Sequence, residues 1–190
     1  MAFTGKVLYF DTETDGIGGF SPPRQRVVQI AWEYADISTS YLINDVQRIS
    51  PHVPHVFQVQ DCHRDGIAFE VAFNGFMAAL RKCSIAVAHN INFDKGVLLH
   101  ELQMRDMNTD EFLQLMNKKQ YCTMQTTIDV CCIPKVGNAA RYPGFKYPKL
   151  SELYVHLMGK EPTLSLHDAS NDVQILKECF LILRTNALSE

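Results

Sequence analysis

The sequence predicts an α/β fold in which a mixed five-stranded sheet has helices on both faces. Near the N-terminus, three strand-like apolar runs follow one another with short connections, which favours antiparallel pairing of the first three strands. From residue 69 onward, apolar residues recur at helical spacing, and shorter apolar runs stand between the helical stretches. Strands that alternate with helices are typical of a sheet that is covered on its two faces.

The first three strands are predicted at residues 7–11, 27–34 and 38–43. A turn rich in Gly and Pro, residues 15–26, separates the first strand from the second. Residues 50–66 contain two prolines and many polar groups, so an irregular excursion without a helix or strand is predicted there.

The second half of the chain alternates between helical and strand-like patterns. Its first helix has one apolar stripe, formed by Phe69, Ala72, Phe73, Phe76, Met77 and Leu80. The later predictions are a strand at 85–88, a helix from N-cap Asn92 to residue 104, a helix opened by a capping box "NTDE" at 108–111, an edge strand at 121–122, and helices at 123–132, 150–158 and 169–184.

Composition places the chain among ordinary soluble proteins. The 190 residues suit a single domain over residues 1–190, and 46% hydrophobic with 21% charged residues is a common balance. The formal net charge of −3 argues against a protein that coats nucleic acid through bulk positive charge. No apolar run approaches the roughly 20 residues of a membrane span, and no signal peptide is visible, so an intracellular location is expected.

The six cysteines predict neither a disulfide framework nor a zinc site. None of them forms a C-x-x-C pair, and Cys83 and Cys179 stand near apolar helical positions. Reduced thiols in an intracellular protein are therefore expected.

The first strand ends in acids: "VLYFDTETDG", residues 7–16, continues from four apolar residues into Asp11, Glu13 and Asp15. Side chains two residues apart in a strand point the same way, so Asp11 and Glu13 face one side at the carboxyl end of the strand. Open α/β sheets usually place ligands at that end. By itself the D-x-E pattern is common, and a solvated strand end would also tolerate it.

A third acid, Asp94, lies in "AHNINFDKGVL", which follows an apolar strand and opens a helix. Asp94, Leu98 and Leu102 share a helical face, so this carboxylate projects with the buried side chains. The alternative is a carboxylate that only stabilises the helix N-terminus through the helix dipole.

The last cluster is "LHDASNDVQIL", residues 166–176, where Asp172 lies near the start of the final helix. His167 precedes Asp172 by five residues, a spacing that does not place two side chains on one helical face. They can converge only if His167 stands before the helix or on its first turn, where Asp168 or Ser165 could cap. A lone histidine is otherwise more often a surface residue.

Taken together, the stretches "FDTETDG", "AHNINFD" and "HDASND" resemble, in order and spacing, the motifs of the DEDD superfamily of 3′–5′ exonucleases in its histidine-bearing, DnaQ-like branch (DEDDh). "YPKLSELY", residues 147–154, is also similar to the segment before the last motif in many members. The resemblance covers residues 7–183 and implies a ribonuclease H-like, three-layer fold. Asp15 departs from it, because members often carry threonine there; its charge could weaken phosphate approach or could face solvent.

The resemblance implies metal-dependent hydrolysis of phosphodiester bonds. Two divalent cations, Mg²⁺ or Mn²⁺, would offset the four carboxylates. Asp11 is the expected bridging ligand, Glu13 and Asp172 are expected to hold the metal that binds the attacking water, and Asp94 is expected near the second metal. His167 is the expected general base, and the product would be a nucleoside 5′-monophosphate.

The resemblance also implies which residues hold the 3′ end of the substrate. Ile17 is expected to wedge against the terminal bases, and the backbone near Thr14 to meet the 3′ hydroxyl. Asn90 and Phe93 are expected to line the same cleft, and Thr12 is assigned to substrate binding with them. Plain core packing is the alternative for Ile17 and Phe93.

A basic and aromatic stretch, residues 134–149, lies just before the last motif. It contains four Lys or Arg residues and three aromatic residues and no acids. That composition suits single-stranded nucleic acid, although many such stretches are merely solvated loops.

Three functions remain open from the sequence. The first is a 3′–5′ exonuclease acting on DNA in proofreading or repair, and the second is an exoribonuclease that trims RNA 3′ ends. The third is a catalytically silent nucleic-acid-binding subunit, which predicts the loss of a metal ligand or of the base, whereas all five residues are present. The expected partner is nucleic acid with a free 3′ end, single-stranded or frayed, and a polymerase or repair complex is the protein partner considered.

Overall fold

A computed structural model of the protein describes residues 5–16 and 24–186. Its five strands form one sheet in the order β3-β2-β1-β4-β5, so the predicted mixed five-stranded sheet is confirmed. The strands β1, β2 and β3 pair antiparallel, as predicted, whereas β4 runs parallel to β1 and β5 runs parallel to β4. Their bounds are β1 Val7–Thr14, β2 Val27–Tyr34, β3 Ile37–Leu42, β4 Ile85–Ala88 and β5 Gln120–Cys122.

Eight α-helices accompany the sheet within the described residues. They are α1 Val59–Asp65, α2 Phe69–Lys82, α3 Ile91–Met104, α4 Asp110–Lys119, α5 Thr123–Thr126, α6 Ile128–Cys131, α7 Leu150–Met158 and α8 Ala169–Asn186. A short 3₁₀ helix, Gly137–Arg141, lies between α6 and α7. None of the helices in the described ranges is long and apolar enough to cross a membrane.

Helices cover both faces of the sheet because alternate residues of β1 face opposite ways. Leu8 and Phe10 point into the larger core with α2, α3 and α4, where the ring of Phe10 lies 5.2 Å from that of Phe76. Tyr9 points to the other face and packs against α8, with its ring 5.7 Å from that of Phe180. The strand that carries the first acids is therefore held from both sides.

Several boundaries differ from the sequence predictions. The first strand continues beyond residue 11 to Thr14, because β2 pairs with it as far as Thr14. The segment 50–66, predicted to be irregular, contains the helix α1. Cys62 is the one buried residue of this helix, so the polar sequence has no apolar stripe that would have predicted it. The helix predicted at 123–132 is divided into α5 and α6 at Thr127, whose backbone leaves the helical region (φ −111°, ψ 11°).

Two predicted helix caps are also wrong. The helix predicted from N-cap Asn92 has Asn90 at that position instead, in the left-handed conformation (φ 70°). The capping box at 108–111 does not form, because Thr109 makes no side-chain cap bond. Instead Asn108 Oδ1 accepts a hydrogen bond from the backbone N–H of Asp110 (2.8 Å).

The six cysteines are free thiols, as expected. Cys83 and Cys179 are buried, which agrees with their predicted place in the core.

Candidate active site

The carboxyl end of β1 delivers two acids to one face of the sheet. Asp11 and Glu13 alternate with Thr12 and share the face of Tyr9, which packs against α8. Glu13 is buried, with 8% of its surface exposed. β1 is the central strand of the sheet, but β4 pairs with it only over its first three residues, so the end that carries the acids is held by β2, which pairs with β1 as far as Thr14.

Asp94 is held against β1 from the first turn of α3. It is 2% exposed, and its Oδ1 accepts hydrogen bonds from the backbone N–H and the hydroxyl of Thr12 (3.1 and 2.8 Å). The prediction that this carboxylate projects inward is right. Its partner is the strand residue between Asp11 and Glu13, so its role is not limited to the end of its own helix.

His167 stands before α8, in a left-handed backbone conformation (φ 68°). His167 therefore lies before the helix, which is one of the two positions from which it was expected to converge with Asp172. The backbone N–H of His167 donates to Asp172 Oδ2 (3.2 Å). Asp168 caps the helix, because its Oδ1 accepts hydrogen bonds from the backbone N–H and the hydroxyl of Ser170 (2.9 and 2.5 Å).

Three of the predicted site residues form a compact group of potential metal ligands. One atom each from Glu13, His167 and Asp172 lies within 4.8 Å of the other two. Glu13 and Asp172 are buried and His167 is exposed, so the group extends from the interior to the protein surface. Asp11 and Asp94 lie within electrostatic range of the two acids, since the charges of Glu13 and Asp172 raise the pKa of Asp11 and the charge of Asp94 raises the pKa of Glu13.

Burial and mutual repulsion raise the pKa values of all four acids. Burial is the largest cause for each, and the charges of neighbouring carboxylates add to it. The pKa of Glu13 rises to about 8, that of Asp94 to about 7 and that of Asp172 to about 6. The pKa of Asp11 is raised well above its ordinary value by burial and by the charges of Asp94, Asp172 and Glu13.

These residues fit a hard divalent cation. Asp172 Oδ1 is buried and has no hydrogen-bond partner among the residues that the structure describes. A buried carboxylate oxygen without a donor is costly unless a cation meets it. Carboxylate oxygens are the ligands that Mg²⁺ and Mn²⁺ prefer, and a bound cation would also reverse the raised pKa values. Glu13 and Asp172, with His167, form the described group whose ligand atoms could hold such a cation, and the part of Asp11 as a ligand stays a prediction.

The pKa of His167 is lowered. Partial desolvation of the ring is the largest cause, and the positive charges of His55 and Lys149 add to it. A neutral imidazole at pH 7 can accept a proton, which is what a general base requires.

The five residues predicted to hold the 3′ end have different surroundings. Thr12 is engaged with Asp94, and Thr14 is buried, with its hydroxyl donating to Gly16 O (3.0 Å). Asn90 is partly buried at the start of α3. Phe93 is half-buried and packs against the larger core, which agrees with the alternative of plain core packing. Ile17 lies outside the described residues. Substrate binding by this group stays a prediction.

Two buried polar residues that support the site had not been singled out from the sequence. Gln29 on β2 accepts a hydrogen bond from Ala169 N–H (2.8 Å) and donates to Asp168 Oδ1 (3.2 Å), so it attaches the start of α8 to the sheet. A polar residue within the apolar run "VVQIAWEY" was the available signal. His55 Nε2–H donates to Thr14 O (2.9 Å), a contact that nothing in its proline-flanked loop indicated.

Asp15, the residue without a role in the sequence analysis, joins the ends of two strands. Its Oδ1 accepts a hydrogen bond from Arg26 N–H (2.9 Å), and its own N–H donates to Arg26 O (3.0 Å). Its carbonyl accepts from Ser50 N–H (2.8 Å). The carboxylate is therefore a backbone clamp between β1 and β2, which accounts for an acid at this position.

Comparison with solved structures shows where this fold recurs, although no protein-family model and no curated protein matches the sequence. E. coli Exonuclease I in complex with a dT13 oligonucleotide is similar with a TM-score of 0.64 and 15% identity, over 97% of this chain and 42% of that chain. The chain has a ribonuclease H-like fold, which it shares with this exonuclease.

Chains in two further solved structures are similar over comparable lengths of this chain. One is found in the structure of the yeast NOT1 MIF4G domain co-crystallised with CAF1, with a TM-score of 0.64 and 11% identity, over 96% of this chain and 80% of that chain. Another is cell-death related nuclease 4, with a TM-score of 0.54 and 14% identity, over 96% of this chain and 64% of that one. The chain spans about two fifths of the length of Exonuclease I.

Proposed function

We propose that this protein is a metal-dependent exonuclease that hydrolyses DNA from its 3′ end and releases nucleoside 5′-monophosphates. One observation carries the proposal: acids from β1, α3 and α8 converge with His167 at the end of the central strand, on a fold shared with exonucleases. Three separate elements supply one cluster of like charges. Such a cluster lowers the stability of the fold, and clusters of this kind are found mostly at functional sites.

Asp11, Glu13 and Asp172 are the proposed ligands of Mg²⁺ or Mn²⁺, and Asp94 would act near the same ions. Four ionised carboxylates carry a formal charge of −4, which two divalent cations would neutralise. When bound, the cations would supply an activated water and positive charge for the scissile phosphate. The unpartnered Asp172 Oδ1 supports Asp172 as a ligand.

His167 is the proposed general base. Its exposed ring stands at the open side of the carboxylate group, and its lowered pKa keeps it neutral near pH 7. A ring nitrogen would take the proton of the attacking water and release it to solvent. The hydrogen bond from His167 N–H to Asp172 Oδ2 holds the turn that carries the ring, so the base and a ligand are positioned together.

The choice of DNA over RNA follows from one structural neighbour. Exonuclease I was crystallised with a dT13 oligonucleotide, which favours DNA by analogy alone. An exoribonuclease would use the same carboxylates and the same base, since the two substrates differ at the 2′ position. The experiment therefore has to include both.

The test is a matched digestion of 3′-labelled single-stranded DNA, of duplex DNA with a 3′-terminal mismatch, and of RNA, each with Mg²⁺, Mn²⁺ or EDTA. We expect release of labelled mononucleotides from the DNA single strand with either metal and none in EDTA. Asp11→Asn, purified in the same way, should be inactive, and Asp110→Asn, an exposed acid on α4, should resemble the wild type.

Three outcomes would contradict the proposal. No release from any substrate would remove the nuclease assignment, and full activity of Asp11→Asn would remove the metal assignment. Preferential release from RNA would replace DNA by RNA as the substrate while leaving the chemistry in place.

A further inference from the structure

Residues 134–149, which we call the basic-aromatic segment, are tied down at both ends. Pro134 and Phe145 form an antiparallel bridge, and Lys146 N–H donates to Ile133 O (3.0 Å). Lys135 Nζ donates across the loop to Pro143 O (2.7 Å). The segment is therefore a closed loop with a defined outer surface.

That outer surface is unusually aromatic. Of the large apolar side chains that are exposed in the described part of the chain, four are aromatic, and three of those lie in this segment: Tyr142 (70%), Tyr147 (57%) and Phe145 (38%). Val136, 79% exposed, lies in the same loop. Clustering of exposed aromatic rings in one short segment indicates a surface that contacts something.

The charge of the segment favours an anionic partner. It contains Lys135, Arg141, Lys146 and Lys149 and no acid. Lys146 is paired with Glu152 (2.5 Å). Arg141 and Lys149 are exposed, and the ammonium group of Lys135 donates to a backbone carbonyl, not to a carboxylate. Aromatic faces beside cationic side chains are the combination that binds single-stranded nucleic acid, through base stacking and phosphate contacts.

The segment also reaches the candidate active site. Its end is fixed by His89, which directly follows β4, because His89 Nε2–H donates to Pro148 O (3.0 Å). His89 is the neighbour of Asn90, where α3 and its acid Asp94 begin. Lys149 is close enough to His167 for its charge to affect the histidine. A nucleic-acid strand bound at the candidate active site could therefore continue directly onto the segment.

We infer that the basic-aromatic segment binds the substrate strand upstream of its 3′-terminal nucleotides, with Tyr142 and Tyr147 stacking on bases and Arg141 and Lys149 contacting phosphates. The inference rests on the proposed exonuclease function and specifies its substrate as a single strand several nucleotides long. Stacking and phosphate contacts carry little sequence information, so the surface accepts any base sequence.

Binding is tested first without hydrolysis. In the Asp11→Asn protein with Mg²⁺, fluorescence anisotropy measures the Kd for a labelled single strand of about 12 nucleotides. The double change Tyr142→Ser and Tyr147→Ser should raise the Kd roughly tenfold or more. The double change Arg141→Gln and Lys149→Gln should also reduce the slope of log K against log salt by about 1.4, since each lost phosphate contact removes about 0.7.

The matched controls are Tyr41→Ser and Lys118→Gln, which remove an exposed aromatic ring and an exposed charge elsewhere. Tyr41 lies on β3, at the opposite edge of the sheet from β5. Both controls should leave the Kd unchanged. Unchanged thermal unfolding of all variants would exclude loss of the fold as the cause.

Hydrolysis then separates this inference from the proposed function. With the active site otherwise of wild-type sequence, the double variant Tyr142→Ser and Tyr147→Ser should hydrolyse the p-nitrophenyl ester of thymidine 5′-monophosphate normally, because this small ester does not extend to the segment, while its KM for the single strand rises. The Arg141 and Lys149 variant is left out of this assay, because the charge of Lys149 acts on His167. A wild-type protein that hydrolyses neither substrate would refute the exonuclease, and the Kd values would still decide the binding surface. Equal Kd values in the segment variants and the controls would overturn the inference.

Discussion

Raising the pH in the absence of metal should destabilise this protein. Glu13, Asp94 and Asp172 have pKa values of about 8, 7 and 6, whereas in an unfolded chain each carboxyl titrates near 4. Between those values the native state holds more protons than the unfolded state. The free energy of unfolding therefore falls as the pH rises through this window, and the full contribution is present only below about pH 4.

The expected loss in the free energy of unfolding can be worked out first for Asp172. Its pKa rises from 3.8 to about 6, which corresponds to about 3 kcal/mol at pH values above both. Glu13 and Asp94 add to this value, but less than additively, because each repulsion between two acids affects both pKa values. We expect a total loss on the order of 5 kcal/mol between pH 4 and pH 8.

The assay is urea unfolding at a series of pH values between 5 and 8 in EDTA, repeated with Mg²⁺. A cation that binds only the native state should restore stability most at high pH, where the carboxylates are ionised. His167 acts in the opposite direction, since its lowered pKa makes stability rise with pH, so the double variant Glu13→Gln and Asp172→Asn is needed to isolate the acids. A wild-type stability that is constant or rises with pH in EDTA would refute the reasoning, as would an unchanged slope in the double variant.

Three further predictions concern single residues. His167→Ala should lower kcat on a 3′-labelled strand by roughly 10²–10⁴, and a loss of only twofold at neutral pH would exclude it as the base. Gln29→Leu should cost about 1–3 kcal/mol in urea unfolding and lower kcat, because Ala169 N–H loses its acceptor; wild-type values for both would contradict this. Glu101→Ala should cost about 3 kcal/mol, because Arg26 and Arg105 lose their buried partner and keep only the more exposed Asp45 and Glu70, while activity per folded molecule is retained. A cost below about 1 kcal/mol in urea unfolding would contradict this prediction.

The predictable parts of the fold are those in which the local residue pattern favours one direction for a side chain. Alternation in β1 directs Asp11 and Glu13 to one side, and the helical face shared with Leu98 and Leu102 favoured an inward position for Asp94, which the structure confirms. The helix α1 was not predicted, because a single buried residue, Cys62, does not form a periodic apolar pattern.

The supporting contacts were not predictable for a different reason. Gln29 reaches Asp168 across 139 positions of the sequence, and His55 reaches Thr14 across 41. No periodicity encodes a hydrogen bond between distant segments, so the sequence could identify the acids without showing what holds them together.

Those contacts explain how the chain folds around acids that repel one another. Thr12 joins α3 to β1 through Asp94, Gln29 joins α8 to β2, and the turn at His167 is held by Asp172. Each bond satisfies a polar group near the acids, yet Asp172 Oδ1 remains without a donor in the described structure. These hydrogen bonds hold the three elements together without a cation, and an unpartnered carboxylate oxygen is left where the proposed ligands meet. Stability at high pH and phosphodiester hydrolysis should consequently respond to the same range of Mg²⁺ concentration, because one binding event would relieve the repulsion and complete the site.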